Sequence, residues 1–143
     1  MSNTQFAFID KKDIPKGPKF QELIREMGYD LQLDGDFDFL EGEGFQPCTL
    51  NGWPEVGVEI FSEPAGDVTD GDEEFEKLAA GKDYCISMSW GGSYKDCACA
   101  LIFSHVLMAQ CGARTTYEGE ELDSLEGLKG GVAEVLELAS KGS

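Results

Sequence analysis

Positive charge is scarce in this chain of 143 residues: 11 Lys and Arg face 28 Asp and Glu, a formal net charge of −17 at pH 7. A field of that sign repels phosphate backbones and anionic headgroups, so neither general nucleic-acid binding nor membrane-surface binding is expected. Long apolar runs are lacking too. The longest, around residues 97–111, is interrupted by Ser104 and His105, so nothing is expected to span a bilayer. The opening MSNTQFAFID has neither a basic n-region nor an apolar h-region, so a secretory signal is not expected and a cytoplasmic location is. Histidine occurs once, and none of the patterns G-x-x-x-x-G-K, G-x-G-x-x-G or G-x-S-x-G is present. An enzyme is therefore the less economical reading, and no cofactor is implied.

What the chain does have is enough apolar matter for one core. Nine Phe in a chain of this length predict a single domain over residues 1–143 and exclude wholesale disorder. Five cysteines, Cys48, Cys85, Cys97, Cys99 and Cys111, are an odd number in a chain that needs no staple, which predicts reduced thiols.

Residues 4–9 (TQFAFI) read as a strand, and Phe20, Leu23, Ile24 and Met27 recur at helical spacing over Lys19–Met27, with Gly28 past the end. Across 29–50 the alternation of Leu31, Leu33, Phe37 and Phe39, with Gly35, Gly42 and Gly44 as turn points, predicts one or two short strands. Asn51-Gly52 is a hairpin turn, followed by a strand carrying Val56, Val58 and Ile60. SEPAGDVTDGD (62–72) reads as an acidic surface loop, Glu73–Ala80 as a short helix and Tyr84–Trp90 as the clearest strand. Ser93 and Asp96 form a capping box ahead of a helix that ends at Cys111-Gly112 and is apolar almost all round, hence central. Arg114–Glu118 is a short strand. A last helix carries Leu125, Leu128, Val132, Val135, Leu136 and Ala139, and its glycines mark Gly130 as the place for a break. Elements mixed without βαβ repetition predict α+β: an antiparallel sheet covered by helices on one side.

Charge placement is the most informative functional feature. Between Arg25 and Lys77 there are sixteen acids and no Lys or Arg. Such a block raises its own electrostatic energy, which a cationic partner would relieve while associating faster through steering. The competing reading is a generally acidic, soluble protein. The partner-binding candidates are Asp34, Asp36, Asp38, Glu41 and Glu43 in one stretch and Asp67, Asp70, Asp72 and Glu73 in another, with Trp53 as aromatic anchor.

Three sharper chemistries have partial patterns in the sequence. Asp30, Asp34, Gly35, Asp38 and Glu41 fit a calcium-loop spacing, but Gln32 replaces the usual Asp or Asn, and Gly42, Gly44 and Pro47 oppose an exiting helix. Cys97, Cys99, His105 and Cys111 suggest a metal set. On one helix, however, 12 to 14 residues span about 18–21 Å, so Cys111 cannot share an ion with Cys97 or Cys99, and a zinc site would need Cys48 or Cys85. Gly91-Gly92-Ser93 turns a strand into a helix N-terminus with Lys95 nearby, so a small-ligand or anion site, or an enzyme built on it, is the alternative function.

The strand ending in Ser89-Trp90-Gly91-Gly92 and running into the Cys/Ala/Leu helix 97–111 resembles bacterial immunity proteins encoded beside polymorphic or contact-delivered toxins. That resemblance implies a non-enzymatic cytoplasmic protein that neutralises a cationic toxin domain by covering its active site with an acidic surface.

Overall fold

Alternation in the sequence becomes one sheet. In the computed structural model, which describes residues 3–41 and 43–141, the strands are β1 (Asn3–Ile9), β2 (Leu31–Leu33), β3 (Gly44–Leu50), β4 (Trp53–Pro64), β5 (Tyr84–Trp90) and β6 (Arg114–Tyr117). They lie in the order β2-β3-β4-β5-β1-β6, and every neighbouring pair is antiparallel. The helices are α1 (Gly17–Glu26), α2 (Ala65–Thr69), α3 (Glu73–Ala79), α4 (Tyr94–Cys111) and α5 (Leu125–Ser140). The class is α+β, as the mixed element order implies.

Register sorts the side chains into two faces. Ala7 and Ile9 of β1, Ile86, Met88 and Trp90 of β5, and Val56, Val58 and Ile60 of β4 enter the main core. Onto that inner face packs α4, which buries Ile102, Phe103, Val106 and Leu107 completely. Each such burial contributes roughly 1.5–3 kcal/mol. Ser93 Oγ caps α4 by accepting from the Asp96 amide at 3.3 Å, and Gly112, at φ 74°, ends it in the left-handed conformation that glycine tolerates. In turn α5 covers α4, with Leu128, Val132 and Ala139 buried. It runs unbroken through Gly130, because packing on α4 outweighs the glycine penalty.

The opposite, outer face carries a smaller cluster. Phe6 and Phe8 of β1 meet Phe75 of α3 edge-to-face, with ring centroids 5.2 and 5.5 Å apart. Here α2 touches β4 and β5, while α3 touches β1 and β6. The stretch 62–72 is thus not a loop throughout: β4 continues to Pro64, and α2 follows directly. Turn-rich composition hid a helix of five residues, too short to show periodicity.

Residues 34–43 also depart from the alternating-strand reading. β2 stops at Leu33, and Phe37 and Phe39 turn inward from an irregular connection to β3. They join Phe20 and Phe103 in an aromatic cluster with centroid separations of 4.6 to 6.2 Å. Gly17 makes the approach possible, since a Cβ there would stand 1.8 Å from the Phe37 carbonyl oxygen. Gly42, read as a turn point, lies outside the described residues.

Part of each sheet edge is occupied from within the chain. Buried Gln21 of α1 donates through Nε2 to the Leu31 carbonyl at 2.8 Å and accepts from the Leu33 amide at 2.6 Å. At the other edge, Thr116 bridges to Leu122, and the Asp123 amide donates to the Thr115 carbonyl at 2.9 Å.

Candidate functional site

Half of the outer face is bare. The pairs Phe45↔Glu59, Glu59↔Ser89, Phe61↔Ser87 and Glu63↔Cys85 place Phe45, Glu59, Phe61 and Glu63 on the same side of β3 and β4. Phe45 is 56% exposed and Phe61 43% exposed, and both glutamates are exposed. Two large rings in water amid carboxylates are an interface signature, because a folded chain gains nothing by displaying them. Gly57 shapes the floor. A Cβ there would meet the Gln46 carbonyl oxygen at 2.1 Å and the Phe45 ring at 2.9 Å, so only glycine lets β3 and the ring lie so close.

Asp96 holds this floor to α4. Its Oδ1 accepts from the Gly57 amide at 3.0 Å. The capping box is therefore half formed: Ser93 caps Asp96, while the Asp96 side chain reaches β4 instead of returning to Ser93.

The two acidic segments flank the bare strip. On the β2–β3 side, Asp36, Asp38 and Glu43 line a small depression together with Phe45. Asp36, Glu41 and Glu43 are exposed, whereas Asp34 accepts from Thr49 Oγ1 at 3.1 Å and Asp38 from the Leu40 amide at 2.8 Å. On the β5–β1 side, α2, α3 and the turn between them carry Asp67, Asp70, Asp72 and Glu73, all exposed. Asp72 has a structural task as well, capping α3 through the Glu74 and Phe75 amides at 3.0 and 3.2 Å. Among the described residues, the ion pairs fall at Lys12–Asp13, Lys19–Glu22, Lys82–Asp10 and Lys141–Glu137, none of them using an acid from 26–76.

Trp53 stands apart from this face. It opens β4 eight residues before Phe61, roughly 26 Å away at about 3.3 Å per residue. Its half-buried ring packs against the main core and lies under Lys95 Nζ, 4.8 Å from the centroid. Phe45 and Phe61 are the residues that sequence reasoning missed. Phe61 was legible as one face of an alternating strand, but its exposure depends on which half of the sheet the helices leave uncovered.

The other chemistries find weaker geometry. The Asp30–Glu41 calcium spacing has no exiting helix, since Glu41 sits in a turn just before β3, and no three metal-ligating side chains converge among the described residues. Cys48 and Cys99 do meet, with Sγ atoms 3.7 Å apart, as free buried thiols. The hydrogen bond to Cys48 and then burial hold the Cys99 thiol well above its ordinary range. Beside Gly91–Ser93 lies a hollow of about 380 Å³ lined by Gln5, Trp90, Tyr94, Cys97 and Asp123. Two of its polar groups are acceptors in place: the fully buried Gln5 leaves Oε1 unpartnered, and the Asp123 carboxylate accepts from Gln5 Nε2. Lys95 is committed to Trp53, so the cation needed for an anion is engaged elsewhere.

Among the described residues, no helix is long and apolar enough to cross a membrane. No protein family, curated protein or solved structure matches the chain.

Proposed function

We propose that this chain is a non-enzymatic binding protein that neutralises a cationic protein by covering its functional surface with the bare half of the sheet. The observation that carries this reading is Phe45 and Phe61, exposed between two acidic segments whose carboxylates have no internal counter-charge among the described residues. The rings would provide the desolvated centre and Glu59, Glu63, Asp36, Glu41 and Glu43 the rim that steers Lys and Arg toward it. Asp67, Asp70 and Glu73 extend that rim across α2 and α3. The resemblance to toxin-immunity proteins makes a toxin effector domain in the cytoplasm the partner of choice.

The test is affinity capture from the native cytosol with the wild-type protein and with the variant Asp36→Asn/Glu43→Gln/Glu59→Gln/Glu63→Gln. The wild type should retain a basic protein that elutes as salt rises, with an association rate that slows as ionic strength increases. The variant should lose association severalfold. Equal retention by both proteins, or a partner without a basic surface, refutes the reading.

A further inference from the structure

The chain's one histidine lies far from that face, in a groove of about 560 Å³ between the end of α1, α4 and α5. Met27, Val132 and Leu136 give it apolar walls, and its titratable lining groups are Tyr29, His105 and Lys129. Among the described residues no carboxylate lines it, although 28 of the 143 residues are acids. The local polarity is the reverse of the molecule's.

His105 is 8% exposed, and its Nδ1 stands 2.5 Å from Tyr29 Oη. Burial raises the Tyr29 phenol above its ordinary value and, with the Lys129 charge, lowers the His105 imidazole, so a protonated phenol faces a neutral ring. That bond occupies Nδ1, and in the tautomer where the phenol O–H donates, the ring proton resides on Nε2. Nε2–H is then the polar group His105 has left for the groove. Lys129, exposed at the rim, makes no ion pair among the described residues. Two unspent donors, one of them cationic, thus adjoin an apolar trough.

We propose that this groove binds an amphipathic monocarboxylate, with its carboxylate between His105 Nε2–H and Lys129 Nζ and its hydrocarbon chain along Met27, Val132 and Leu136. The head satisfies both donors, and the tail removes apolar surface from water. The site is independent of the acidic face.

Octanoate titrated into the full chain is the direct test, because the single imidazole gives one isolated nuclear magnetic resonance signal. Saturable binding in the millimolar range or tighter should move the His105 signal. Octan-1-ol, with the same chain length and no charge, should bind at least fivefold more weakly. Lys129→Gln should weaken octanoate by a similar factor and Lys129→Glu by more, and exposure of this side chain keeps both variants folded. Equal affinity for octanoate and octan-1-ol, a His105 signal that octanoate does not move, or unchanged binding by Lys129→Glu overturns the proposal.

Discussion

Phe39→Ala is the perturbation whose size follows most directly from the packing. Phe39 belongs to the connection between β2 and β3, yet it is fully buried. Its ring meets Phe37, Phe20 and Phe103 edge-to-face at centroid distances of 4.6, 4.9 and 6.2 Å. Truncating a buried Phe costs about 3–5 kcal/mol, and edge-to-face pairs worth about 0.5–1.5 kcal/mol each place this site at the upper end. The ring also fixes its own backbone, whose carbonyl accepts from Ser62 Oγ at 2.6 Å. Against a total stability on the order of 5–15 kcal/mol this removes a third or more of the margin, with Tm lower by roughly 10–15 °C. Urea and thermal melts followed by tryptophan fluorescence and circular dichroism measure the loss. Phe61→Ala is the matched control: at 43% exposure it should cost under about 0.5 kcal/mol. A loss below about 1 kcal/mol for Phe39→Ala, or equal losses for the two variants, would refute the assignment of one ring to the core and the other to the surface.

Other outcomes follow from the same contacts. Asp96→Ala removes the acceptor for the Gly57 amide and should cost about 1–3 kcal/mol in urea titrations, with Asp96→Asn milder because it keeps an acceptor oxygen. Replacing Phe45 and Phe61 by Ser should leave the urea midpoint nearly unchanged yet weaken the partner by about 2 kcal/mol or more, read by surface binding kinetics. Burial pushes the Cys85 thiol up to about 12 and the Cys111 thiol up to about 11, from 9.0. An unfolded chain therefore releases these protons first. Their contribution is complete below pH 9.0 and is lost as pH rises toward 11 and 12, at a slope of up to about 1.4 kcal/mol per pH unit for each group. Alkaline melts that keep the same slope in Cys85→Val/Cys111→Val would contradict this.

The sequence was most legible where local chemistry and packing agree. β5 turns Ile86, Met88 and Trp90 to the inner face, and α4 has Ser93 before it and Gly112 after it, so both lie where the pattern puts them. Phe37 and Phe39 carry the inward–outward rhythm of a strand, but with no partner strand alongside, the rhythm came from two rings seeking Phe20 across the chain. Ser93 and Asp96 have capping-box spacing, and the Asp96 side chain nevertheless answers to Gly57, 39 residues away. Acidic segments were visible as composition, whereas the bare strip between them depends on α2 and α3 touching β1, β5, β6 and β4 while making no such contact with β3, so that Phe45 and Phe61 stay exposed. That is a tertiary choice, and no local window contains it.

Gln21 has a consequence for how the molecule meets other proteins. Its side-chain amide occupies the Leu31 carbonyl and the Leu33 amide, the positions an incoming strand would use, and Thr116–Leu122 fills the same role across the sheet. At these positions a visiting chain finds the ladder already taken, so strand addition is blocked there. A partner or a second copy that approaches β2, or β6 at Thr115–Thr116, thus meets side chains in place of a free backbone template for fibril growth.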